Sequence, residues 1–301
     1  HRAVARGVDA LVERDQFDRA FRLCVDRGDW EHAASVLTSC CRHGHVEVPP
    51  GVLAEWLGAL PADRREEPDG LLLRGLVGRV NDPFGEETAH LLERAVDAYR
   101  ATGNVAGEIA AGVELVYVLR NQGRCDALPA LLTRAAELDT AGHVEAAGPA
   151  AIGRALMAEL TGDDDRMIAE LDAVPSGLLS RDWQTVVAFR LTIAHLTSGN
   201  ELGMIDAAER CAALAEGSND RHVLALARWF AGDPRLALAT CDEITADASR
   251  SQTDAVFLGT VATMVLASAG RTDEAAARLA TTERAASGPV SALMRGALVG
   301  A

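Results

Sequence analysis

The sequence contains no lysine; all 29 of its basic residues are arginine. That absence excludes a phosphate-loop lysine, a Schiff-base lysine and a lysine general base. It also matches the coding bias of a GC-rich genome. Aromatic residues are scarce, at 4% of the chain, and Ala and Leu dominate. Small Ala side chains let helices approach closely and favour helix over strand. Val is frequent but never forms a long alternating run, so no strand competes. No apolar run approaches the ~18 residues that a membrane span needs. Nor does an apolar core or a small-residue cleavage site follow the opening His1-Arg2-Ala3-Val4, as a signal peptide would require. The chain lacks an initiator Met and opens inside a helical pattern, so a cytoplasmic fragment of a larger protein is expected.

Positive charge is also in deficit. Asp and Glu number 44 and the formal net charge is −15, which repels a phosphate backbone. Arg is interspersed with Asp and Glu throughout, so no basic face stands out, and direct nucleic-acid binding is not expected. Hydrophobic residues make up 49% and charged residues 24%, the balance of a folded domain rather than a disordered one. A chain of 301 residues can bury roughly three quarters of its unfolded surface or extend as a solenoid. Its six cysteines, Cys24, Cys40, Cys41, Cys125, Cys211 and Cys241, are expected to be buried free thiols, because so large a domain needs no staples.

What is present is a repeat. Gly followed by a polar residue recurs at Gly123-Arg124, Gly162-Asp163, Gly199-Asn200, Gly232-Asp233 and Gly270-Arg271, at spacings of 39, 37, 33 and 38 residues. Gly28-Asp29 is an earlier copy, and Asn81-Asp82 plays the same role without the glycine. A period in the mid-to-upper thirties is that of a helix–turn–helix repeat. The glycine can end one helix in the left-handed conformation, and the Asp, Asn or Thr after it can cap the next. Five residues after the glycine stand Ala33, Ala237 and Ala275, but also Met167, Met204 and Leu128, so the copies are degenerate.

Between the turns the apolar residues keep helical spacing, as in Leu92-Ala95-Val96-Tyr99, Leu131-Leu132-Ala135-Leu138 and Val187-Leu191-Ala194. Helices are predicted near residues 2–13, 16–26, 30–43, 50–59, 69–79, 85–101, 105–121, 125–139, 145–161, 164–173, 179–197, 203–215, 220–230, 234–246, 252–268, 272–286 and 288–299. Residues 44–70 carry Pro49-Pro50, Pro61 and Pro68 and read as a connector with one short helix. The expected fold is all-α, a tetratricopeptide-like superhelical solenoid of antiparallel helix pairs. Residues 1–47 would form N-terminal helices and 48–301 the array.

The candidate sites are few. Cys40-Cys41-Arg42-His43-Gly44-His45 is the densest group of soft ligands, but its spacing matches no standard zinc pattern and a helix end at Gly44 explains it as well. Asp163-Asp164-Asp165 lacks the glycine and distal Glu of a calcium loop and reads as a helix start. His195 shares a helix with Trp183 and Arg190, and none of the eight histidines joins a nucleophile and an acid in a recognisable motif. No catalytic residue, metal or cofactor is therefore assigned. Repeat arrays bind along the surface made by the first helix of each pair. On such helices lie Glu114, Tyr117 and Asn121, then Trp183, Gln184 and Arg190, then Arg228 and Trp229. Aromatics with Arg are common anchors at binding surfaces. The competing reading makes the aromatics inter-repeat core and the arginines surface.

One stretch resembles a known family. Leu53-Ala54-Glu55-Trp56-Leu57-Gly58-Ala59-Leu60-Pro61 is followed by Pro68, Leu71-Leu72-Leu73 and Gly75, then Asp82-Pro83, Leu91-Leu92-Glu93-Arg94-Ala95 and Thr102-Gly103-Asn104. This order resembles the repeat region of large STAND-type bacterial transcription regulators, both the maltose-activator-like, LuxR-ended proteins and the SARP-like antibiotic regulators. Gly28-Asp29-Trp30-Glu31-His32-Ala33-Ala34 resembles the helices that precede that region. The likeness covers roughly the first 125 residues; beyond them only the repeat style is shared. It implies a sensor arm that binds a small-molecule inducer or a regulatory protein and controls an ATPase and a DNA-binding domain elsewhere in the parent chain. It implies no ligand residues, because those vary among members. The alternatives are a protein- or peptide-docking scaffold without a transcriptional role and, with least support, an α-helical enzyme. Self-association of the array is compatible with each.

Overall fold

A computed structural model describes residues 2–14, 16–41, 48, 50–82, 85–174, 181–214, 222–245 and 252–285. Among them the secondary structure is helix without strands. The chain divides into two compact units, His1–Gly153 and Arg154–Ala301. The domain boundary expected near residue 47 falls inside the first unit.

The first unit is built from α1 (Arg2–Val12), α2 (Phe17–Val25), α3 (Trp30–Cys40), α4 (Pro50–Ala59), α5 (Pro68–Asn81), α6 (Glu86–Thr102), α7 (Val105–Asn121) and α8 (Leu128–Thr140). Helix α9 (Ala147–Leu160) holds the last residues of this unit and the first of the next. The second unit continues with α10 (Asp164–Asp172), α11 (Arg181–Thr197), α12 (Glu201–Leu214), α13 (His222–Phe230), α14 (Pro234–Thr245), α15 (Gln252–Ser268) and α16 (Thr272–Ala285). Consecutive helices pack on one another, most extensively α5 on α6, α6 on α7, α11 on α12 and α15 on α16. The helix predicted over 288–299 lies outside the described residues.

One turn recurs. At Gly162 (φ 70°) the glycine N–H donates to the Glu159 carbonyl at 3.0 Å, and the Asp163 N–H donates to the Ala158 carbonyl at 3.0 Å. Those two bonds satisfy carbonyls that the end of α9 would otherwise leave open, a Schellman arrangement. The Asp163 carboxylate then accepts from the Arg166 N–H at 3.0 Å and starts α10. The Asp163-Asp164-Asp165 run is thus a cap followed by two carboxylates in the first turn. The same backbone pair closes the turns at Gly28, Gly103, Gly123, Gly142, Gly199, Gly232 and Gly270. Gly103 and Gly142 were not among the turns read from the sequence. Asp29, Asn104, Asn200 and Asp233 repeat the side-chain cap. At the Gly123 turn no side chain caps, and a short 3-10 turn (Cys125–Ala127) comes first. Helix α8 therefore starts at Leu128, with Pro129 in its first turn where a missing N–H costs nothing.

The position five residues past the glycine also has a structural meaning. Ala33, Leu128, Met167, Met204, Ala237 and Ala275 are all buried, at 6% exposure or less. Side-chain size varies between copies while burial does not. The second unit's core follows from these positions: Met167 packs with Ala155, Leu171, Leu191 and Ala207, while Ala237 packs with Cys241, Val261 and Val265. In the first unit, Trp56 of α4 stacks on Phe21 of α2 at 4.2 Å and donates its indole N–H to Asp18 at 3.0 Å. The connector folds as α4 and a 3-10 turn (Ala62–Arg64) against which Gly70 of α5 sits.

Five of the six cysteines are buried and free, as expected. Cys125 is the exception, exposed in its 3-10 turn. Burial pushes the Cys24 and Cys241 thiols up to about 11. Among the described residues no helix is long and apolar enough to cross a membrane.

Two glycine substitutions should move stability in opposite directions. Gly162 has open space around it but a left-handed backbone, so Gly162→Ala should cost about 1–2 kcal/mol. Gly112 also has open space but lies inside α7, so Gly112→Ala should add roughly 0.5–1 kcal/mol. Chemical denaturation of the two variants beside the parent chain checks both signs.

Candidate functional site

Two large clefts open among the described residues of the first unit, and their chemistry differs. The first, of about 750 Å³, lies where the opening turns of α3, α5 and α7 meet the last turns of α6. Local sequence accounts for its walls. Asp29 and Asn104 line it as the caps of α3 and α7, and Pro68 and Asp69 line it as the first two residues of α5. Gly107 lets α7 approach α6 so closely that a methyl group there would run into the Tyr99 ring. That approach seats Tyr99, whose ring is buried and whose hydroxyl donates to the Asp69 carboxylate at 2.5 Å. Burial holds the Asp69 carboxyl above its usual range, with the Tyr99 bond opposing the rise. Burial and the adjoining Asp69 push the Tyr99 phenol up as well. Trp30 and Glu31 in the first turn of α3 complete one wall, and Arg64, paired with Glu67 at 2.7 Å, stands at the other side.

The second cleft, of about 690 Å³, runs between α6 and α8 over Val96 and Leu115. Its rim charges are paired with one another. Arg100 pairs with Glu108 at 2.8 Å and Arg134 pairs with Glu108 at 2.9 Å. Arg134 also reaches Glu137 at 3.5 Å. Glu108 occupies the position five residues past Gly103, the position that is apolar and buried in six other copies. Its side chain is 5% exposed. Burial alone would raise its carboxyl; hydrogen bonds from Arg134 and Arg100 outweigh that and hold it below the ordinary glutamate value.

The residues singled out from the sequence lie elsewhere. Glu114 is fully buried in α7 and pairs with Arg79 of α5 at 2.6 Å, whereas Tyr117, one turn on, is half-buried. Asn121 is the last residue of α7. In the second unit Trp183 is buried and Gln184 half-buried. Arg190 lies 3.6 Å from Glu159 and its guanidinium sits 5.8 Å from the centre of the Phe189 ring. Arg228 donates to the Thr240 hydroxyl, and Trp229 donates its indole N–H to Ser268 at 3.1 Å. These contacts knit neighbouring helices; the first group lies in α7 of the first unit, and the other two lie in α11 and at the end of α13 of the second unit. His195 is buried against Asn200, its Nδ1 3.2 Å from the amide nitrogen, and packs the α11–α12 turn. Cys40 and Cys41 have their Sγ atoms 3.9 Å apart in the core, while His43 and His45 lie outside the described residues. Among the described residues no three His, Cys, Asp or Glu side chains are grouped as metal ligands would be.

Sequence reasoning passed over Trp30, Asp69 and the Arg100–Glu108–Arg134 trio. For the trio a signal existed, since a carboxylate stands where the repeat calls for burial. For Asp69 and Tyr99 none did; they are 30 residues apart and meet only through packing. No protein-family model matches the chain, and no curated protein sequence matches it either.

Glu108→Gln should destabilise the protein by about 1–2 kcal/mol at pH 7, a buried charge-assisted pair being discounted for the partial exposure of both arginines. A carboxyl whose folded value is lowered contributes stability above its unfolded value, about 4.3, and loses it as pH falls through the folded value. The difference between parent and variant in urea denaturation should therefore hold from pH 7 down to about pH 5 and close as the pH falls below about 4.3.

Proposed function

We propose that this chain is the sensor and interaction arm of a bacterial transcription regulator. In that reading it works in the cytoplasm, as a tetratricopeptide-like array that binds a small-molecule inducer or a regulatory protein. It passes the signal to the ATPase and DNA-binding domains of its parent chain. The observation that carries the reading is the 750 Å³ cleft. Its volume falls in the range of small-molecule sites, about 300–1,000 Å³. It is built by residues 28–106, inside the stretch whose sequence resembles the regulators' repeat region. Successive capped hairpins support the array, because stacking of such units is how repeat domains bury their cores.

A docking scaffold is the second reading, and one feature favours it. Phe230 and Leu236 flank the α13–α14 turn with 52% and 44% of their surface exposed, and Trp229 packs 5.0 Å from Phe230. Exposed apolar groups of this kind suit a peptide or protein partner.

Native mass spectrometry of the gently purified chain separates the readings. The sensor reading expects a retained small molecule, or complex formation with the ATPase domain of the parent that a small molecule changes. A parent protein with neither an ATPase nor a DNA-binding domain would sink it, and saturable peptide binding with no response to metabolites would replace it with the scaffold.

A further inference from the structure

The 750 Å³ cleft has a charge and an aromatic wall that select one class of ligand. Three helices begin at it, and helix starts ordinarily attract anions through their exposed N–H groups. Here that attraction is already answered. The Asp29 carboxylate accepts from the His32 N–H at the start of α3, and the Asn104 carbonyl accepts from the Gly107 N–H at the start of α7. Helix α5 opens with Pro68, which has no N–H, and carries Asp69 next. Two carboxylates and an amide oxygen thus stand where an anion would sit.

The remaining lining points the same way. Asp29, Glu31 and Asp69 contribute three carboxylates to the cleft, of which Asp29 is already paired with the His32 ring at 2.9 Å. Arg64 is the one cationic side chain lining it among the described residues, and Glu67 already holds it. Tyr99 donates to Oδ1 of Asp69 and leaves Oδ2 without a protein donor among the described residues. The half-buried Trp30 indole lies between Asp29 and Glu31 in sequence and in the wall. An aromatic face beside carboxylates is the arrangement that holds an ammonium or guanidinium group, through the ring quadrupole together with ion pairing. The 690 Å³ cleft offers a contrast within the same unit, since its three lining carboxylates, Glu93, Asp97 and Glu137, are each paired with an arginine: Arg124, Arg100 and Arg134.

We propose that the cleft between the starts of α3, α5 and α7 binds a small organic cation. Its amine or guanidinium group rests on Trp30 and is paired by Asp69 and Glu31. This deepens the sensor reading and rests on it, naming the chemical class of the inducer. The same cationic group could arrive on a free amine or on a lysine or arginine side chain of a partner. The cleft's 750 Å³, lined from α3, α5, α6 and α7, falls in the range of small-molecule sites and suits the free molecule.

Isothermal titration of the full chain with cadaverine and agmatine tests this, with pentanediol, inorganic phosphate and an oligo-arginine peptide as comparisons. Saturable binding of a diamine or agmatine is expected, with none of pentanediol or phosphate. Trp30→Ala and Asp69→Asn should each weaken it by about tenfold. Asn can still accept the Tyr99 bond, and circular dichroism checks that both variants fold. Glu137→Gln, on the other cleft, should leave the affinity unchanged. Three results would overturn the proposal: no saturable binding of either cation, preference for phosphate or the neutral diol, or cation binding that both variants retain in full. Tighter binding of the oligo-arginine peptide with no binding of the free amines would also overturn it, in favour of a docking site. If native mass spectrometry finds an anionic or neutral inducer, the cation proposal fails while the sensor reading stands. A parent chain without regulatory domains reverses that outcome, leaving cation binding intact and removing the sensor role.

Discussion

The structure depends on how a helix can be stopped and restarted within two residues. A chain of consecutive antiparallel helices must leave four carbonyls and four N–H groups open at each reversal. Here a left-handed glycine turns the backbone so that two N–H groups fold back onto the last carbonyls, and the next side chain accepts from the first N–H groups of the following helix. The solution takes two residues, Gly and Asp or Asn, and it is repeated in both units. At Arg124, which cannot accept, the helix begins later, through a 3-10 turn, whereas after Arg271 α16 starts directly at Thr272.

In six of the copies the first buried residue of the next helix comes five positions after the glycine, so the turn sets that helix's register too. Ala, Met and Leu all serve there, since adjoining side chains adjust to volume. Glu108 serves only because Arg100 and Arg134 reach it from α6 and α8. Its buried charge is compensated by two neighbours, so this copy of the repeat joins three helices through charge where the others use hydrophobic contact. Close approach of α6 and α7 at Gly107, and of α5 and α6 at Gly75 under Leu92, does the rest in the first unit.

The same turns give the large cleft its chemistry. Caps that end the helices cleanly also put Asp29 and Asn104 on its wall, and the proline that starts α5 puts Asp69 there. A feature that began as helix termination becomes an acidic surface beside Trp30, one of only four tryptophans in the chain. In an aromatic-poor protein this placement distinguishes the cleft from the groove between α6 and α8, whose carboxylates are paired with arginines.

The sequence by itself determined the all-α class, the hairpin turns at Gly28, Gly123, Gly162, Gly199, Gly232 and Gly270, and the capping role of Asp163. These are local properties, written in residues that touch along the chain. It also placed Glu114, Trp183 and Arg190 correctly on their helices. It could not tell that Glu114 is sealed against Arg79, or that Trp229 is tied to Ser268, 39 residues away. Tertiary structure alone decided the division into two units at residue 153, the meeting of Asp69 with Tyr99, and the exposure of Cys125. Each is set by which helix faces another across the core, and helical periodicity shows that a face is apolar without naming the face it meets.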